Sequence, residues 1–342
     1  MNYRYSIIIP VYNRPDELQE LLNSLQQEIL QNEKKYKEQS PFAEIIIVDD
    51  GSQTASDAIC KKFESTLKLK YIYQENTGPA GARNTGAKKA SGEWLLFFDS
   101  DCILPEGYFQ AVEQNIKDTE AGLWGGPDKA AVSFSPIQKA IDYSMTSFLT
   151  TGGIRGKKKS MDTYYPRTFN LGVRRSAFDE VGGFSNLRFG EDLDFSMRIL
   201  KKGYQSLLIE EAYVYHKRRN TYKTFFKQVY NSGMARVVLN KLHPGTLKTV
   251  HLLPTLFTVF LLFSLSMLPF GNYIPAVFIL AYMLILFADG WRNTKSLSAS
   301  ARIPFTSILQ LTGYGMGLLH AVVLIHILGK NDARAFEKSF YT

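Results

Sequence analysis

The chain has 342 residues, enough for one large domain with an appendage or for two domains, and 45% of them are hydrophobic. Its formal charge of +8 suits an anionic partner such as a lipid surface, a diphosphate or a nucleic acid. No zinc-ligand or nucleic-acid motif accompanies the charge, which leaves membrane and diphosphate, and Cys60 and Cys102 are too few for a disulfide framework.

In chain order, apolar strand-like runs alternate with helix-like segments. Tyr5–Val11 reads as a buried strand with no signal peptide ahead of it, so the first 240 residues are expected in the cytosol. Leu18, Leu21, Leu22 and Leu25 then recur at helical spacing from Pro15. A second strand at 44–48, a helix to about Leu67, a third strand at 70–74, a helix at 79–90 and a fourth strand at Trp94–Phe98 follow. Such alternation predicts a mostly parallel sheet covered by helices. Past Gly122 the pattern loosens into short strands near 123–126 and 129–134 and a helix over 137–149. The segment 151–163, with Arg155 and three consecutive lysines from Lys157, reads either as a solvated loop or as a basic loop touching an anion.

The chemistry collects where strands end. Asp99-Ser100-Asp101 follows the fourth strand, Asp49-Asp50-Gly51-Ser52 closes the second, and Pro10-Val11-Tyr12-Asn13-Arg14 closes the first. In a parallel sheet these ends lie side by side and form a ligand crevice. Turn-forming residues are ordinary at any one strand end; three converging ends point to a site. Carboxylates one residue apart suit a hard divalent cation holding a diphosphate. Gly78-Pro-Ala-Gly-Ala-Arg83-Asn84 enters a helix, where small residues permit close approach of a ligand and the helix start favours anions. Gly190-Glu191-Asp192-Leu193-Asp194 heads an amphipathic helix; capping needs one acid, and three within four residues imply a nearby cation or a raised pKa. His216 ends a strand-like run and precedes Lys217, Arg218 and Arg219, a place suited to a metal or a diphosphate.

No charged residue occurs from 250 to 288 or from 303 to 329. These runs predict membrane spans near 251–270, 273–290 and 304–329, the first two forming a hairpin around Gly271-Asn272. Arg292, Lys295 and Arg302 favour a cytoplasmic loop after the second span. Three full crossings place Lys330, Arg334 and Lys338 outside, against the same rule, so the third segment either crosses or bends back. The stretch Tyr222–Leu242, aromatic and basic, suits an interfacial helix or a domain-edge helix.

In order, these motifs resemble the family 2 glycosyltransferases, and the likeness covers roughly residues 3–220. The resemblance implies an α/β catalytic domain of the GT-A type over 1–220, to which the charge and hydropathy pattern adds a linker helix over 221–248, transmembrane helices over 249–329 and a polar tail over 330–342. It implies inverting transfer from a nucleotide diphosphosugar with Mn2+ or Mg2+. By position, Asp50 would contact the base with Pro10 and Tyr12 beside it. Arg14, Gly78, Arg83, Asp99 and Lys217 would complete the donor site, Asp101 and His216 would hold the metal, and Asp192 would be the general base with Glu191 beside it. Processive members carry Gln-x-x-Arg-Trp before their channel helices; residues 225–236 lack it, which favours one sugar per binding event. The expected partners are a nucleotide sugar, a lipid-linked or growing glycan acceptor and the cytoplasmic membrane, with the catalytic domain cytosolic. Transfer to a polyprenyl phosphate and a catalytically silent, sugar-nucleotide-binding scaffold are the alternatives.

Overall fold

The computed structural model describes residues 4–36, 42–117, 119–129, 134–151, 164–217 and 219–330. The basic segment 152–163, Arg218 and the tail beyond Lys330 lie outside them. The described chain forms two compact units, one of residues 4–129 and 164–216, the other of 134–151 and 217–330.

The first unit runs β1 (Tyr5–Val11), α1 (Pro15–Tyr36), β2 (Phe42–Asp49), α2 (Asp57–Phe63), β3 (Leu69–Tyr73), α3 (Gly78–Lys89), β4 (Trp94–Phe98), β5 (Cys102–Ile103), α4 (Tyr108–Ile116), β6 (Ala121–Gly125) and β7 (Asp128–Lys129). Helices α5 (Pro136–Thr146) and α6 (Phe148–Thr151) belong to the second unit. The first unit resumes with β8 (Asn170–Arg174), α7 (Arg175–Glu180), α8 (Glu191–Lys201), β9 (Gln205–Leu208) and β10 (Val214–His216).

Seven strands form one sheet in the order β3-β2-β1-β4-β8-β6-β9, and β5-β10-β7 form a small second sheet. All pairs in the large sheet are parallel except those of β8, which runs antiparallel to β4 and β6. Alternate side chains of a strand face opposite sides, and β1 shows the consequence. Ile7 and Ile9 join Leu18, Leu21, Leu22 and Leu25 of α1 on one side, while Ile8 joins Ala87 of α3, Phe178 of α7 and Phe195 of α8 on the other. Both faces of the sheet are therefore covered, and only the strand ends are available for chemistry.

The second unit contains α9 (Tyr222–Leu242), α10 (Leu253–Met267), α11 (Ile274–Thr294), α12 (Leu297–Ser300) and α13 (Ile303–Val322), with α5 and α6 packed among them. Three stretches, Thr249–Phe270, Ile274–Thr294 and Leu297–Ile327, are long and apolar enough to cross a membrane. Pro269 and Pro275 flank a left-handed Gly271 (φ 70°) that turns α10 into α11. Tyr143 of α5 hydrogen-bonds Asp289 of α11, and the Ser144 hydroxyl lies 2.7 Å from that of Thr306 on α13. These ties explain why 134–151 belongs to the second unit: Tyr143 and Ser144 find partners among the later helices.

Candidate active site

The first two strand ends are stitched by Asn13. It adopts φ 53°, a conformation Asn tolerates better than most residues, and its Oδ1 accepts from Gln53 N at 2.7 Å and Thr54 N at 3.1 Å. Its own N–H donates to Ser52 Oγ at 2.8 Å. The two adjacent acids divide their work. Asp49 faces inward, accepting from Ser52 N (2.9 Å) and the Tyr71 hydroxyl (2.7 Å). Asp50 accepts from the backbone N–H of Thr77 (2.9 Å) and Gly78 (2.8 Å) and from Gln74 Nε2 (2.7 Å), so it satisfies the first amides of α3. Burial pushes its carboxyl up, although these donors pull the other way.

The glycines of α3 serve packing. A Cβ on Gly86 would stand 2.5 Å from Ile8 Cγ2, and one on Gly81 would stand 2.3 Å from Thr77 Oγ1. The sequence reading expected small residues for approach of a ligand; at Gly86 the close neighbour is the sheet. Gly78 has φ 83° and delivers its N–H to Asp50.

One turn further along α3, Arg83 is buried and bridges two elements. Its Nη2 donates to Asp99 at 2.7 Å, past the end of β4, and its Nη1 to Glu191 at 3.2 Å, at the start of α8. Arg167, just before β8, donates to Asp192 Oδ2 at 2.8 Å, and the Leu193 N–H donates to Oδ1 at 2.8 Å. The neighbouring acids consequently diverge. Burial raises Glu191 to about 7, reinforced by the charge of Asp192. Burial also opposes ionisation of Asp192, but the Arg167 charge and hydrogen bond outweigh it and hold the carboxyl below its ordinary value. Arg167 thus favours the ionised form of Asp192, while burial favours the protonated form of Glu191.

The third cluster surrounds Asp101. Arg14 forms an ion pair with its Oδ2, and His216 Nε2 lies 3.1 Å from Oδ1. The other imidazole nitrogen lies 3.9 Å from Asp128 Oδ2, and Phe169 stacks on the ring with centroids 4.9 Å apart. Burial alone lowers the imidazole pKa, but Asp101 outweighs it and raises the group to about 9. Ligand atoms of Asp101, Cys102 and His216 fall within 4.8 Å of one another. Burial keeps the Cys102 thiol protonated, and it donates to Phe169 O at 3.4 Å, which removes it as a thiolate ligand. A carboxylate and an imidazole remain; once a cation displaces the proton that Asp101 holds on the ring, the pair fits Mn2+ or a similar divalent ion.

The structure thus gathers Arg14, Asp101 and His216 in one cluster and Arg83, Asp99, Glu191 and Asp192 in another. Pro10 is the last residue but one of β1 and Tyr12 follows the strand, both partly exposed, and the half-buried Lys217 follows β10. Sequence reasoning passed over Arg167, Asp128, Gln74 and Thr77. Arg167 stands 25 residues from Asp192, in a stretch without periodicity, so nothing local marks it. Asn13 was legible in principle, since Asn after a strand is a common left-handed residue.

A mostly parallel sheet covered on both faces, with paired acids at its strand ends and a small accessory sheet beside them, is a GT-A type of architecture, that of nucleotide-sugar-dependent glycosyltransferases. Residues 6–182 match the model for glycosyl transferase family 2, and the chain belongs to that family. Glycosyltransferase AglE of Haloferax volcanii is 27% identical over 237 residues, covering 68% of this chain and 72% of that protein. The minor teichoic acid biosynthesis protein GgaA of Bacillus subtilis is 28% identical over 258 residues, 69% of this chain and 52% of that one. Among solved structures, the mannosyltransferase PcManGT from Pyrobaculum calidifontis in complex with GDP-Man and Mn2+ superposes with a TM-score of 0.62 at 16% identity, over 90% of this chain and 87% of that one, a likeness of fold.

Proposed function

We propose that this glycosyltransferase moves one sugar at a time, with inversion at the anomeric carbon, from a nucleotide diphosphosugar to a hydroxyl of a lipid-linked or growing glycan at the cytoplasmic face of the membrane. The reading rests on the geometry at the head of α8, where Arg167 holds Asp192 at 2.8 Å and Arg83 ties Glu191 to Asp99 past the end of β4, at 3.2 and 2.7 Å, an arrangement that favours the ionised form of Asp192. Asp192 takes the proton of the acceptor hydroxyl, the freed oxygen bonds to the anomeric carbon, and the bond from that carbon to the diphosphate breaks. Arg167 orients the base. Arg83 holds Asp99 and Glu191 against the donor, with Pro10, Tyr12, Asp50 and Gly78 around the nucleoside and Arg14 and Lys217 near the diphosphate. Asp101 and His216 would hold a divalent ion, whose charge offsets that gathering on the leaving group. The acceptor class draws support from the teichoic acid relative, and the metal from the Mn2+ complex of the structural neighbour.

The test uses the full chain in detergent with a panel of nucleotide sugars, with and without Mn2+. One sugar nucleotide should stabilise the protein in a metal-dependent way and yield nucleoside diphosphate with a product of opposite anomeric configuration. Asp192→Asn should lower kcat by about 10²–10⁴-fold while donor binding persists. Undiminished turnover of that variant would instead favour a phosphate acceptor, which needs no deprotonation. His216→Ala should weaken Mn2+ binding by at least about tenfold in a metal titration.

A further inference from the structure

The three apolar stretches of the second unit are packed very differently. In the windows that qualify them as spans, α13 and its flanks are 39% buried, against 17% for each of the other two. The partners of α13 show why. Along its length it meets α9 running in the same direction: Tyr222 packs on Phe305, with ring centroids 4.9 Å apart, Phe226 and Val229 lie against Gly313, and Tyr230 against Gly317. The fit is close, since a Cβ on Gly317 would stand 2.0 Å from Tyr230 O and one on Gly233 2.1 Å from Tyr314 O.

The meetings of Ile303, Leu311 and Gly315 with the α10–α11 hairpin fall at one end of that hairpin. At the beginning of α13, Ile303 packs on Leu286 and faces Gly290, near the end of α11. Further along, the Thr258 hydroxyl reaches Leu311 O at 3.4 Å, and Gly315 faces Pro254, Thr255 and Thr258, near the start of α10. The end of α11 and the start of α10 are the same end of the hairpin, opposite its Gly271 turn. A helix that crossed beside the hairpin would leave that end and approach the turn. Instead, α13 enters at the open end and is still there a dozen residues later.

We propose that α13 does not cross the bilayer but lies within its near leaflet, so that the chain crosses twice and Lys330 returns to the side of the α9–α10 and α11–α12 connections. The proposal rests on the membrane-bound reading above and refines it. The dimensions agree. From Thr258 to Phe270 the hairpin rises about 18 Å, and a helix lying flat beneath adds about 10 Å. Together they approach the hydrocarbon thickness of about 30 Å. In that outer part, Leu262, Leu265, Phe270 (80% exposed), Val277 and Phe278 (64% exposed) point outward, as lipid contact requires. Placing Lys330 on the near side also brings it to the side of Arg292, Lys295 and Arg302, which the bias of basic residues toward one face favours.

The experiment makes three separate variants of the full chain, Asn272→Cys at the turn, Asn293→Cys at the end of α11 and Lys330→Cys after α13. Each is treated with a membrane-impermeant maleimide in intact cells and in cells made permeable. The unsubstituted chain, whose Cys60 and Cys102 are buried, sets the background, and retained donor-dependent thermal stabilisation shows that each variant folds. Labelling of Asn272→Cys in intact cells, with Asn293→Cys and Lys330→Cys labelled only after permeabilisation, is the expected result. Labelling of Lys330→Cys in intact cells alongside Asn272→Cys would overturn it, leaving membrane anchorage in place. Failure of Asn272→Cys to label in intact cells would remove the spanning hairpin, and with it both the proposal and the membrane-spanning reading.

Discussion

Glu191 and Asp192 are neighbours on one helix turn, yet they meet different cations, and the consequence is measurable at the residue scale. Replacing Arg167 by Gln removes the charge that keeps Asp192 ionised, so the acid limb of the kcat profile should move to higher pH while donor KM changes little. Glu191 carries the opposite linkage. Its folded pKa of about 7 lies above its ordinary 4.5, so the native state binds a proton that the unfolded chain has lost. Its ionisation therefore costs stability as pH rises from 4.5, and the cost levels off above about 7. Glu191→Gln, which keeps an acceptor for Arg83, should stabilise the protein at pH 8 by about 1–2 kcal/mol and have little effect at pH 4.5, as read by thermal unfolding. Of this cluster, the acids were legible because three crowded a helix start. Arg83 was legible as a site cation, but its reach to Glu191, 108 residues away, was not, nor was Arg167, 25 residues from Asp192. Pairings set by the closed fold leave no spacing in the sequence.

Among the elements, the early strands were legible because each is a solid apolar run between turn residues. The interior strand β8 was not. Asn-Leu-Gly-Val-Arg offers only two large apolar side chains, and its glycine exists for a neighbour: a Cβ on Gly172 would stand 2.1 Å from the Trp124 indole. The same logic governs Gly86 of α3, where Gly86→Leu should overpack Ile8 and destabilise the protein by about 1–3 kcal/mol. At the opposite end of the strands from the acids, Glu44 accepts from Ser6 Oγ (2.9 Å), Ser91 N (2.7 Å), Ser91 Oγ (2.8 Å) and Lys70 Nζ (3.1 Å). Burial alone raises its pKa, but the bonds from Ser91, Lys70 and Ser6 outweigh it and lower the group to about 2. Its contribution is thus complete above the ordinary 4.5 and is lost as pH falls toward about 2. Glu44→Ala should lower stability by about 1–3 kcal/mol at pH 7, with the difference from the parent shrinking in acid, because buried donors lose their acceptor.

For the whole molecule, the length and hydropathy of the last third marked helices apolar enough to cross a membrane from sequence alone, whereas the manner of their packing was not legible. An apolar run looks the same whether lipid or protein covers it, and only the glycine row of α13 hinted at close neighbours. The protein should stay with membranes through alkaline carbonate and leave them in detergent; Phe278→Arg combined with Leu262→Arg should reduce integration, measured as the fraction released by carbonate. The excursion of α5 away from the sheet carries a consequence for synthesis. Its Tyr143 waits for Asp289, 146 residues downstream, and its Ser144 for Thr306, 162 residues downstream. The seven strands of the large sheet have all been synthesised once Leu208 is made, while α5 still lacks every one of these partners. A nascent chain of that length should therefore hold α5 without its partners and be bound by holding chaperones until translation delivers the later helices.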